Sequence, residues 1–280
     1  MKRQHSTVAI AVVLFLAVRM IGAALTRFVP SFLLLPYDAL VLILSAALPA
    51  CLFLGKSARL SPAPLKPPRA RHFRYLLLLP FFVVSVSLLA SVLTHLAELA
   101  GIDASLKLPS DLTSLFLTAA ILPAVVEEIL CRYLCFLPFS DRRKVAAIWI
   151  SSVIFALLHV NLVQIPYALF AGLMLGALFA LTDSILIPIL FHLTNNLVSI
   201  LFVILGENSF GANLLEGSLL ALAAISIPFL LRPGKNEKSI LGEIWEMIRP
   251  RAEDGRSIAE CLISPLLIPI LLCLWLALLV

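Results

Sequence analysis

Apolar residues in this chain follow neither the alternating strand period nor a one-faced helical period; they run on for about twenty residues at a time, and polar residues gather between the runs. An α-helix rises 1.5 Å per residue, so about 20 apolar residues cross a hydrocarbon layer about 30 Å thick. Nine runs of this kind are predicted. They cover about Thr7 to Val29, Ser31 to Gly55, Tyr75 to Leu96, Leu112 to Leu137, Val145 to Leu162, Ile165 to Leu181, Ile185 to Leu205, Ala212 to Leu231 and Leu262 to Val280. The last leaves a surface or re-entrant segment as its alternative. Membrane β-barrels show alternating segments of about ten residues instead. The expected fold is therefore all-α, a polytopic transmembrane helical bundle of about eight to nine spans.

The gaps sort by charge. Residues 56–74 hold Lys56, Arg59, Lys66, Arg69, Arg71 and Arg74 among four prolines, and 138–144 and 232–260 are also basic. With 182–184 these loops fall on one side, while the opposite loops are short and carry Glu98, Asp103 and Glu207. Basic loops stay in the cytoplasm, so the N-terminus is expected inside and the C-terminus outside. The first run also has a cleaved signal peptide as its alternative; Arg19 and the lack of a small-x-small site favour an uncleaved span. The chain divides into three expected parts: 1–111 with three spans and the basic loop, 112–231 as the core, and 232–280 as an appendage. Within the appendage Ile240, Ile244, Trp245 and Ile248 recur at helical spacing among charges, which predicts an amphipathic helix on the inner membrane surface or a solvated connector.

Composition agrees with this class. The 280 residues are 61% apolar and 13% charged, with mean hydropathy +1.07, against about 45–50% and about 25% in soluble domains. The net charge of +5 is accounted for by the loops, and no nucleic-acid partner is expected. The five cysteines give no disulfide framework and no CxxC spacing. Cys131 and Cys135 are expected as small packing residues. A bacterial cytoplasmic membrane is the expected home, with the endoplasmic reticulum as the alternative; oligomeric state is open.

Against this background the stretch Ala124-Val125-Val126-Glu127-Glu128-Ile129-Leu130-Cys131-Arg132 stands out. Ionisable groups in hydrocarbon are costly unless paired, so they are functional candidates. Glu128 and Arg132 are i, i+4 on a helix and can pair, whereas Glu127 points about 100° away. Further along, His159 follows Phe155 by four residues, and Asn196 follows His192 by four. Counted from the cytoplasmic ends, these polar groups lie roughly 12–20 Å deep. Asp183, in the turn between the sixth and seventh runs, is expected as a helix N-cap. Gly172-x-x-x-Gly176 lets a neighbouring helix approach, and Pro123 should disturb the backbone one turn before Glu127.

A buried carboxylate with a histidine can activate water, and an amide with a second histidine can donate to an oxyanion. Together they fit hydrolysis of a peptide bond. A zinc site of Glu and two His is possible in ligand type, but HExxH spacing is absent and Arg132 disfavours a cation; a cysteine nucleophile is weaker still. No cofactor or metal is expected.

The set Glu127-Glu128-x-x-x-Arg132, Phe155-x-x-x-His159 and His192-x-x-x-Asn196 resembles, in order and spacing, the motifs of the CAAX protease and bacteriocin-processing (CPBP, or Abi) family, over about residues 112–205. The resemblance implies a membrane-embedded, glutamate-dependent endopeptidase acting on a peptide or protein at the lipid bilayer. By position, Glu127 and His159 activate the water, His192 and Asn196 hold the oxyanion, and Glu128 with Arg132 holds the helix, with a catalytic share for Glu128 left open. Two other classes stay in view: a non-catalytic bacteriocin-immunity or regulatory scaffold on the same fold, and a proton-coupled transporter, for which paired half-helices and repeats are missing.

Overall fold

A computed structural model describes residues 2–54, 67–102, 108–109, 111–140, 143–206, 209–233, 238–262 and 270–273, and these form helices and short connections with no strand among them. Among the described residues, the helices of nine residues or more are, in order, α1 (Lys2–Leu25), α2 (Leu34–Leu54), α3 (Ala70–Leu99, opening as a 3-10 helix), α4 (Leu112–Phe136), α5 (Lys144–Leu157), α6 (Gln164–Thr182), α7 (Leu186–Leu205), α8 (Phe210–Leu231), α9 (Ile240–Ile248) and α10 (Ala252–Leu262). Polar caps mark several starts. Asp111 accepts from the Ser114 N–H, Ser209 from Ala212 and Ser239 from Gly242, each satisfying an otherwise orphaned donor. Hydrogen bonds from Ser114 also hold the Asp111 carboxyl below the usual carboxylate range.

Seven of the helices, α1 to α4 and α6 to α8, are long and apolar enough to cross a membrane. Their outward faces are apolar as well: Phe32, Leu99, Phe210 and Ile225 are more than half exposed. Water would not tolerate so much apolar surface on a monomer, and lipid covers it without cost. The chain is an integral membrane protein.

The fifth expected span differs. Helix α5 has 14 residues, about 21 Å, and stops at Leu157, well short of Leu162. Val160 takes a positive φ of 49°, and residues 158–163 turn back into α6. Asp183 also departs from expectation. It closes α6 as the C-terminal residue in the left-handed conformation, donating its N–H to Phe179, and the residue preceding α7 is Ile185. The loop bearing Lys56, Arg59 and Lys66, along with Asp103, Glu207 and most of the ninth run, lies outside the described residues.

Helix α6 is the most enclosed of these seven helices, burying Ala171, Met174, Leu175, Leu178 and Phe179 among its neighbours. It lies along α5 and touches α3, α7 and α9. Edge-to-face pairs tie this core together: Phe82 with Phe191 at 5.6 Å and Phe136 with Phe179 at 5.1 Å. A second cluster packs Val12, Phe15 and Leu16 of α1 against Leu130 and Leu134 of α4 and Ile154 of α5.

Helix α9 is held to the bundle rather than left in solvent. Ile240 and Ile244 are buried in the α3–α6 core. Glu243 takes a forked hydrogen bond from Arg74 Nη2, at 2.6 and 2.7 Å, and one from Tyr75 OH at 2.8 Å. At its other end, the Trp149 indole donates to the Ile248 carbonyl at 2.7 Å. Helix α9 thereby closes one wall of an apolar cavity of about 570 Å³ whose other walls include Phe81, Leu89, Phe170 and Met174. Glu243→Ala is expected to loosen this docking. Hydrogen exchange of the α9 amides should accelerate several-fold while α6 amides stay unchanged; equal rates in both proteins would remove the latch from the account.

Candidate functional site

The site starts from a perturbation of α4. Glu127 and Glu128 end a seven-residue α-helical segment, Leu122–Glu128, between two π-helical stretches, Leu117–Ile121 and Ile129–Phe136. Leu122 N–H donates to the carbonyl of Leu117, five residues back, and Pro123 has no N–H to continue the ladder. Widened turns of this kind favour functional sites because they redirect side chains.

Glu128 and Arg132 are fully buried. Arg132 Nε donates to Glu128 Oε2 at 2.8 Å, and Arg132 Nη1 donates to Ser151 Oγ at 3.2 Å. The second carboxylate oxygen, Oε1, lies 3.2 Å from His192 Nδ1. A carboxylate engaged by a guanidinium accepts only, so Nδ1 carries the proton and Nε2 is free for other work. His192 is 6% exposed. Glu128 thus lies between α4 and α7 with both oxygens occupied. Arg132 Nη2 has no hydrogen-bond partner among the described residues.

Phe155 joins the two histidines. Its ring meets that of His159 edge-on at 5.1 Å and that of His192 at 5.4 Å, and the Arg132 guanidinium sits 5.7 Å from its centroid. His159 lies in the turn after α5, not inside a span. Its Nδ1 is 2.9 Å from the Phe155 carbonyl, which only accepts, so this ring too presents Nε2 outward. The short α5 explains the placement: ending the helix at Leu157 swings His159 over Phe155.

The structure therefore gathers Glu128, Arg132, Phe155, His159 and His192 into one connected cluster. Glu127 is half-buried and has no hydrogen-bond or ion-pair partner among the described residues; Asn196, half-buried on α7, shares that condition. Neither makes a hydrogen bond or ion pair to the cluster among the described residues. Two polar neighbours escaped the sequence reading. Ser151 receives Arg132, and a pair of serines at 151–152 in an otherwise apolar run was the available signal. Asn195 Oδ1 is buried without a partner among the described residues; its place beside Asn196 was the only hint. Cys131 and Cys135 are buried in the two cores. No three His, Cys, Asp or Glu side chains among the described residues converge as a metal site would require.

Membrane-length helices closing around a Glu–Arg–His cluster define an integral membrane protein with an ionisable centre inside its bundle. Residues 109–198 match the model of the family described as type II CAAX prenyl endopeptidase Rce1-like. This is the CAAX membrane protease family that the three motifs resemble, and the matched stretch contains all of them. No curated protein and no solved structure matches the chain.

Proposed function

We propose that this protein is an intramembrane endopeptidase that hydrolyses a peptide bond with an activated water. The observation that carries the reading is the division of labour in the Glu pair. Both oxygens of Glu128 are taken by Arg132 and His192, out of reach of solvent. Glu127 is the carboxylate left open.

In this reading Glu127 accepts a proton from water as the hydroxyl adds to the scissile carbonyl, with the free Nε2 of His159 as the second proton carrier. His192, its Nδ1–H fixed on Glu128, donates Nε2–H to the oxyanion as an imidazolium, and Asn196 adds its amide. Glu128, Arg132 and His192 then sum to one positive charge, which the oxyanion neutralises. Collapse of the intermediate returns the proton to the leaving nitrogen, giving one carboxylic acid and one amine. With the N-terminus in the cytoplasm, the site opens to that side and takes peptide or protein substrates presented at the membrane. The CAAX endopeptidase description of the matched family supports a substrate cut near a lipid-bearing end. Residues 112–231 form the catalytic core in this reading, with 1–111 and 232–280 around it.

The test compares membrane and secreted peptides from cells carrying wild type or His159→Ala at matched expression. A precursor should accumulate in the variant, and purified wild type should cut it in detergent with chelator present. Loss of cutting on chelation would replace the glutamate mechanism with a metal one. A wild-type phenotype that survives His159→Ala, with no peptide changed, would leave the non-catalytic scaffold as the better reading.

A further inference from the structure

The two glycines of α6 do different things. A Cβ built at Gly172 would meet Ser152 Cα and Cβ at 3.1 Å and Phe155 Cδ1 at 3.2 Å. Close approach of α5 to α6 accounts for that glycine. A Cβ at Gly176 would instead meet Arg132 Nη1 at 3.2 Å, along with Ile148 Cγ2 at 3.2 Å. Two atoms are equally near there, Ile148 Cγ2 across the α5–α6 contact and Nη1 of the buried guanidinium, so this glycine leaves room for the site's arginine as well as for the neighbouring helix.

The same nitrogen is also held from α5. Ser151 Oγ accepts from Nη1 at 3.2 Å while its own hydroxyl donates to the Ile148 carbonyl at 3.1 Å. Both Ser151 and Arg132 are fully buried. The Phe155 ring lies against the guanidinium. Arg132 therefore occupies a fitted seat in which its plane is set from α5 and α6, although its charge partner is on its own helix.

We propose that Gly176 and Ser151 are positioning residues of the site: they fix the Arg132 guanidinium, through it the Glu128 carboxylate, and through that the ring of His192. The catalytic consequence rests on the protease reading above; the chain of contacts does not. A shift of about 1 Å in a reacting group costs up to about a hundredfold in rate. Gly176→Ala and Ser151→Ala should each lower kcat about ten- to a hundredfold, with KM within about twofold, because an oxyanion contact is made only in the transition state.

The deciding measurement does not need turnover. Protein with ¹⁵N-labelled histidine is purified in detergent, and the His192 ring signals are assigned by their loss in His192→Gln. Gly176→Ala and Ser151→Ala should both move those signals. The control is Gly22→Ala on α1, where the new Cβ would meet Val41 Cγ1 at 2.5 Å. That change should lower thermal stability and leave His192 where it is. In an Arg132→Lys background, Gly176→Ala should add nothing, since the coupling runs through the guanidinium. Should Gly176→Ala fail to fold, Ser151→Ala, which only removes an oxygen, carries the test. His192 signals that move no more in Gly176→Ala and Ser151→Ala than in Gly22→Ala overturn the proposal. Moved signals in a protein that cuts nothing uphold the positioning and remove the protease reading instead.

Discussion

Protein carrying Glu127→Gln is expected to fold and melt like wild type and to turn over about 10²–10⁴ times more slowly, the usual contribution of a general base. The substitution keeps shape and hydrogen-bonding reach but removes the capacity to accept a proton from water. Stability should not move, because Glu127 has no hydrogen-bond or ion-pair partner among the described residues to lose. Glu128→Gln is the informative companion: it alters a group held by Arg132 and His192, so its loss of activity should come with a lower melting temperature. The measurement is single-turnover cleavage of the accumulating precursor beside a thermal melt in the same detergent. Full activity in Glu127→Gln would move the base to another residue and end the assignment made from the Glu pair.

Arg132→Leu should be destabilised by about 3–5 kcal/mol, the cost of leaving a buried charge without its partner. The size follows from burial. Glu128 and Arg132 are both fully enclosed, and without the guanidinium the carboxylate keeps only the His192 hydrogen bond. Adding Glu128→Gln to Arg132→Leu removes the stranded charge and should recover much of the lost stability, by the same logic that makes buried pairs replaceable as units. A double variant as unstable as Arg132→Leu alone would show that the loss arises from packing around the guanidinium, with Phe155 and Gly176, and not from its charge.

The long spans were legible in the sequence because hydrocarbon demands length and apolarity and little else. The i, i+4 pairing of Glu128 and Arg132 was legible too, since helical geometry fixes it locally. The bond from Glu128 to His192 was not. It joins residues 64 apart on different helices, and nothing in either motif says which carboxylate of the pair will face α7. The turn holding His159 was hidden for another reason. Leu157, Leu158, Val160, Leu162 and Val163 keep the stretch apolar through the bend, so hydropathy shows a span where the backbone has already reversed at Val160. Asp183 was misplaced because a short polar residue between two helices suits the end of one as well as the start of the next; its positive φ of 51° is a backbone fact that composition does not carry. The π-helical stretches had one signal, Pro123, and a proline marks a disturbed ladder without saying how it is repaired.

The docking of α9 also has a consequence for synthesis. Ile240 and Ile244 complete a core whose other members include side chains on α3, made about 160 residues earlier, and on α6, made about 70 residues earlier. At about 5–20 residues per second that core waits on the order of 3–14 s for its last wall, with the faces of α3 and α6 that will meet α9 turned toward lipid or an insertion factor. A nascent chain stalled before Ile240 is therefore expected to be inserted yet unfinished, with the face where α9 docks on α3 and α6 still open.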